Sequence, residues 1–227
     1  MLLFSFFHVR TTCLAALLGA SFLLTACVTA PRQQQADYTA FRDSRPRSIL
    51  VMPPINLSPD EKAARSFLAT STGPLAESGY YVIPVTLSEE TFKQNGMTVA
   101  EEAQNIDLGK LRQIFGADAA LYMTVDRFGS SYRVLDSVVE AGASAKLIDI
   151  RTGQELWHGR TLVVQSSSQN NSGGLIGALV SAIVHQIANS LSDKSHQVAG
   201  MANYQLLSAG HWNSILYGPY HPQFGTD

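Results

Sequence analysis

The chain has 227 residues, 45% of them hydrophobic and 15% charged, with 16 Lys and Arg against 18 Asp and Glu. That composition excludes a disordered polymer, and the slightly acidic balance argues against nucleic acid as a partner. The two cysteines, Cys13 and Cys27, both lie near the N-terminus, so the remainder can hold no disulfide, no thiolate-bound metal and no cysteine nucleophile.

Residues 11–24, TTCLAALLGASFLL, form an apolar run preceded by Arg10. It is too short to span a bilayer comfortably and reads as a removed export signal. The LTAC that closes it, ending at Cys27, resembles the lipobox of bacterial lipoproteins. The resemblance implies cleavage before Cys27, diacylglycerol on its thiol and acylation of the new amino group, more than stable anchoring requires. No other cofactor is expected. Val28, rather than Asp, implies release to the outer membrane by similarity to the sorting rule of enteric-type bacteria, with the domain facing the periplasm. Losing the signal removes Arg10 and leaves 15 basic against 18 acidic side chains.

The expected organisation is a signal over residues 1–26, lipidated Cys27 with a flexible tether to residue 46, and one periplasmic α/β domain over 47–227. The tether is polar and weakly patterned, about 25 Å end to end as a coil. The domain opens with a strand in RSILVMPP from Arg47, closed by Pro53-Pro54. A helix follows, with Ser58 as N-cap, Pro59 at its first position, Gly79 as its stop, and Gly73-Pro74 as a kink or division. Residues 80–85 read as a second strand and 119–128 as a third. Between them a helix over 100–118 places Ile106, Leu108, Leu111, Ile114 and Phe115 near a 3.6 period. Strands alternating with helices predict parallel crossover units.

The second half differs. Two β-type runs over 138–166 are separated only by Arg151-Thr152-Gly153, which leaves no room for a crossover helix, so they pair antiparallel. Gly153 suits the left-handed position of such a turn, Asp149 can accept from nearby amides or the Thr152 hydroxyl, and Trp157 offers packing surface on the return strand. A catalytic reading would make Asp149, Glu155 and His158 acid, base and shuttle, but alternation puts Glu155 on the face opposite Leu156 and His158. No phosphate loop, nucleophile elbow or His-Glu-x-x-His motif occurs, and no two histidines after the signal stand at helical ligand spacing, so neither an enzyme nor a metal site is expected.

Residues 161–192 carry no Lys, Arg, Asp or Glu. Within them Ile176, Leu179 and Ile183 belong to an apolar helical stripe flanked by small residues, suited to the domain's own sheet or to a second copy. A weaker helix precedes a tail with Trp212, Tyr217, Tyr220 and Phe224, which either covers its own domain or anchors an interface.

LIDIRTGQELWHG resembles the hydrophobic-Asp-x-x-Thr-Gly-x-x-x-Trp hairpin of CsgG-like envelope lipoproteins, the LpoB type of cell-wall synthase activator, and TolB N-terminal-like domains. With ILVMPPINLSP, GGLIGALVSAIVHQIAN and LYGPYHP, it resembles a family of small Gram-negative lipoproteins of the meningococcal vaccine-candidate type. The implied fold is α/β and TolB N-terminal-like: a three-layer-like sheet with parallel crossovers first, then an antiparallel hairpin and C-terminal helices. The resemblance implies an outer-membrane anchor, self-association and an auxiliary role in envelope transport; with the uncharged stretch and aromatic tail, the expected protein is a non-enzymatic homodimer that binds another envelope protein in transport or secretion. A CsgG-like oligomeric export assembly is the alternative, although a long amphipathic strand pair suited to a barrel is missing. An envelope hydrolase would need a nucleophile and base that are not evident.

Overall fold

The computed structural model describes residues 36–133, 136–166 and 194–227. Its frame is a mixed six-stranded sheet with the order β3-β1-β4-β5-β6, and β2 also pairs with β4. The strands are β1 (Ser48–Val51), β2 (Ile55–Asn56), β3 (Tyr81–Val82), β4 (Ala119–Arg133), β5 (Asp136–Asp149) and β6 (Glu155–Ser166). β1 pairs in parallel with β3 on one side and β4 on the other, while β4–β5 and β5–β6 are antiparallel. The α/β class with parallel crossovers followed by a hairpin is therefore as the sequence indicates.

The helices are α1 (Thr39–Ser44), α2 (Lys62–Glu77), α3 (Val85–Gln94), α4 (Ala100–Gln104), α5 (Leu108–Phe115) and α6 (Lys194–Leu207). Strand alternation sorts them onto the two faces of the sheet. Ile49, Val51, Leu121 and Leu147 point to one side, where Phe67 and Leu75 of α2 and Val198, Ala202 and Leu206 of α6 complete the main core. Leu50, Met52, Ala120 and Tyr122 point to the other, under Phe92 of α3, Ala103 of α4 and Leu111 of α5. Among the described residues, no helix is long and apolar enough to cross a membrane.

Several local expectations change. The tether does not reach residue 46: Tyr38 and Phe41 are buried in the main core, and the compact unit runs Ala36–Asp227. A six-residue helix has little stability alone, so this one forms because two aromatics three positions apart find a tertiary surface. Ser58 is not an N-cap. Its amide and hydroxyl both donate to Asn56 Oδ1, a local turn that delays α2 until Lys62, whose amide donates to Asp60 Oδ1. Pro74 lies inside an undivided α2 one turn from its end. The expected 100–118 helix is two helices, because Asp107 leaves the helical conformation to accept the Lys110 amide and start α5 afresh. The second strand keeps only two residues, Val85 opens α3 instead of ending that strand, and the rest of α3 fills positions for which no element was expected. A long strand pair is present in β4–β5, but Phe128 and Val139 turn one side of it into the main core.

Candidate functional site

At the hairpin turn, Asp149 is only 2% exposed and organises everything near it. Its Oδ1 accepts the amides of Arg151 (2.7 Å) and Thr152 (2.9 Å), and its Oδ2 accepts the Ser44 hydroxyl (2.6 Å) and the Arg151 guanidinium (3.3 Å). The Thr152 hydroxyl oxygen accepts the Gln154 amide (3.2 Å), closing the turn beside it. Gly153 has φ 77° and donates to the Asp149 carbonyl, which is the left-handed turn position. Burial alone would raise the Asp149 carboxyl, but the bonds from Ser44, Thr152 and Arg151 and the Arg151 charge together hold it below its ordinary value.

Glu155 and His158 are not on opposite faces, because His158 Nδ1 lies 2.7 Å from Glu155 Oε1. The cause is a bulge: Leu147 pairs with Trp157 and Ile148 with Glu155, so Leu156 is the extra residue and alternation slips by one. Leu156 and Trp157 are consequently both buried. The Glu155–His158 pair is exposed and stands apart from Asp149, whose hydrogen-bond partners are Ser44 and the turn itself. Arg160 pairs with Asp126 on the same open surface. Among the described residues no three His, Cys, Asp or Glu side chains are grouped to hold a metal. Just past the carboxyl end of β1, Gln104 Nε2 donates to Pro53 O (2.8 Å) and to Met123 O within β4 (3.1 Å), which takes up this amide in backbone bonds.

The C-terminal tail crosses the domain from β6 towards β3, pinned by aromatic donors. Trp157 Nε1 donates to Asn213 O (2.9 Å), the Tyr38 hydroxyl to Ser214 O (2.6 Å) and the Tyr80 hydroxyl to Leu216 O (2.5 Å). Burial pushes the Tyr80 phenol up, which keeps it a donor. Ile215 and Leu216 enter the main core. Beyond them the tail docks by backbone: the Gly218 amide donates to Ser78 O and the Tyr220 amide to Gly79 O. A Cβ on Gly79 or Gly218 would collide with the opposing strand of chain, so this approach requires glycine on both sides.

Of the expected interface residues, Trp212 is 59% exposed near the start of β6 and Tyr220 is 60% exposed beside Arg47, whose guanidinium lies 6.0 Å from its ring. Tyr217 is stacked on His221, ring centroids 4.2 Å apart. Cys27, Ile176, Leu179 and Ile183 lie outside the described residues. Between α1 and the tail is a cleft of about 320 Å³, walled by Phe41, Tyr80, Tyr217 and Phe224 and edged by Arg42 and Arg45. Sequence reasoning did not single out Ser44, Tyr38 or these arginines, which come from the stretch assigned to the tether.

Comparison with known proteins supports this architecture. Residues 36–220 match the GNA1162-like lipoprotein family. The chain is 50% identical over 202 residues to lipoprotein NMB1124/NMB1162 of Neisseria meningitidis serogroup B, covering 89% of this chain and 93% of the relative. Among solved structures, the crystal structure of lipoprotein GNA1162 from Neisseria meningitidis aligns with a TM-score of 0.54 and 52% identity, covering 64% of this chain and all of that one. The PelC dodecamer from Paraburkholderia phytofirmans aligns at 0.42 and 15% identity, over 71% of this chain and 86% of that one. The chain belongs to the GNA1162-like lipoprotein family.

Proposed function

We propose that this lipoprotein is a non-enzymatic, outer-membrane-anchored protein, held by acylated Cys27, whose domain self-associates and binds another envelope protein as an auxiliary of transport or secretion. The observation that carries the reading is the β6 side of the domain. In the described sheet β6 has a strand partner on one side only, and it exposes Leu162 and Val164, with Trp212 standing free near its start. An edge strand with exposed apolar side chains is a surface that another chain can cover. The charge-free residues 161–192 begin within that strand and add no charge that would oppose association. Glu155, His158, Arg160 and Asp126 are spent in exposed pairs, which is the chemistry of a solvated surface rather than of proton transfer.

Self-association is tested by light scattering on the chain carrying Cys27→Ser, which removes the acylation site. A dimer at tens of micromolar is expected, corresponding to an interface of about −6 to −7 kcal/mol. A monomer at that concentration contradicts self-association.

A further inference from the structure

The cleft between α1 and the tail has a feature that its structural role does not explain. Arg45 closes α1 in the left-handed conformation, φ 45° and ψ 57°. Apart from glycines, the only other described residue with positive φ is Asn213, a type that tolerates it. Glycine would close the helix at Arg45 with less strain, so the side chain is held there against a backbone cost. Its guanidinium is exposed and, among the described residues, uses only Nε–H, on the Arg42 carbonyl, which leaves both amino groups without a partner there.

The cleft beside it combines that guanidinium with aromatic and proline walls: Phe41, Pro46, Tyr217, Pro219 and Phe224. Asp227 also lines it, with a carboxylate oxygen taken by the Tyr217 amide and its carbonyl by Arg42. Among the described residues lining the cleft, Arg45 is therefore the cation free to meet an anion. Arginine presents a fork that matches phosphate, and aromatic rings beside it suit the headgroup layer of a bilayer.

The occupant follows from chain length. Because α1 is part of the fold, only residues 28–35 separate Cys27 from Ala36. Fully extended they reach about 30 Å, so an acylated Cys27 keeps this end of the domain beside the membrane at high effective concentration. We infer that the cleft seats on the bilayer, with Arg45 binding a phospholipid phosphate and Phe224 and Tyr220 lying at headgroup level. The inference rests on the lipid-anchor reading. Asp227 offsets Arg42 in the same cleft, so the contact depends on Arg45 geometry and aromatic burial more than on net charge.

The test uses the full acylated lipoprotein in vesicles of phosphatidylethanolamine and phosphatidylglycerol. Gln223→Cys places the sole free thiol beside Phe224 for an environment-sensitive fluorophore, and Glu101→Cys on α4 serves as a distant control. On vesicles the fluorophore at 223 should be several-fold less accessible to iodide than the one at 101. Arg45→Gly, which relieves backbone strain and should leave the melting temperature unchanged or higher, should restore that accessibility. Equal accessibility at both positions, as expected if the cleft is instead for a protein, overturns the seat, and so does indifference to Arg45→Gly. A lipoprotein that does not float with the vesicles refutes the anchor and the seat together. One that floats with position 223 open refutes the seat alone.

Discussion

At Asp149 burial and hydrogen bonding oppose each other, and the hydrogen bonds prevail, so the carboxyl ionises below its ordinary value of 3.8. A carboxyl lowered by folding contributes stability above its unfolded value and loses it as the pH falls through the folded one. Asp149→Asn should therefore cost about 2 kcal/mol at pH 7, the scale of hydrogen bonds to a charged group. The gap from the parent should narrow below about pH 4 as the parent carboxyl protonates. Urea unfolding at pH 7 and pH 3 checks this, and a gap that stays constant would assign the loss to packing. Gly153→Val places a β-branched side chain at φ 77° and should cost about 1–3 kcal/mol, seen as a lower melting temperature. An unchanged value would contradict the turn geometry. Asp149 and Gly153 were legible because turn chemistry is local. Ser44, 105 positions from Asp149, carries no local sign of its role, and the Glu155–His158 contact was hidden by a one-residue bulge.

Elements whose apolar pattern matches their environment were readable from sequence: β1, β4 and the β5–β6 hairpin, whereas the expected 100–118 helix breaks at Asp107 and leaves Ile114 53% exposed. α3 was missed because Leu87 faces solvent at 61% exposure while Ser88 is buried, which scrambles its periodicity. α1 and the tail were unreadable as a pair because each is ordered by the other. Tyr38 reaches across 176 positions to Ser214 O, and neither segment has the pattern of an independent element. The tail is thus a structural layer as well as a carrier of exposed aromatics. Truncation after Ser208 removes Ile215 and Leu216 from the core, each worth about 1.5–3 kcal/mol, and leaves the Tyr38, Tyr80 and Trp157 donors to water. Chemical denaturation should show a loss of several kcal/mol. A truncated chain as stable as the parent would contradict the docked tail.

For the molecule as a whole, strand and helix alternation indicated the α/β class, and the hairpin with its flanking motifs pointed to the family. What sequence could not supply was the arrangement of the two ends. The tail begins beside the start of β6, where Asn213 next to Trp212 accepts the Ala36 amide, and finishes beside Arg47 and the α1 cleft, so it presents aromatics along its length. In our account the exposed face of β6 with Leu162, Val164 and Trp212 meets protein and the neighbouring α1 cleft meets membrane, with Cys27 holding the domain where both can act. The most direct measurement of protein recognition is photocrosslinking in intact cells from a benzophenone amino acid at position 212 of the acylated chain. Adducts are expected at 212, one at the mass of two copies and one with a different envelope protein, and none from the same group at Glu101. A chain that stays uncrosslinked at 212, or crosslinks equally at both positions, would contradict that recognition.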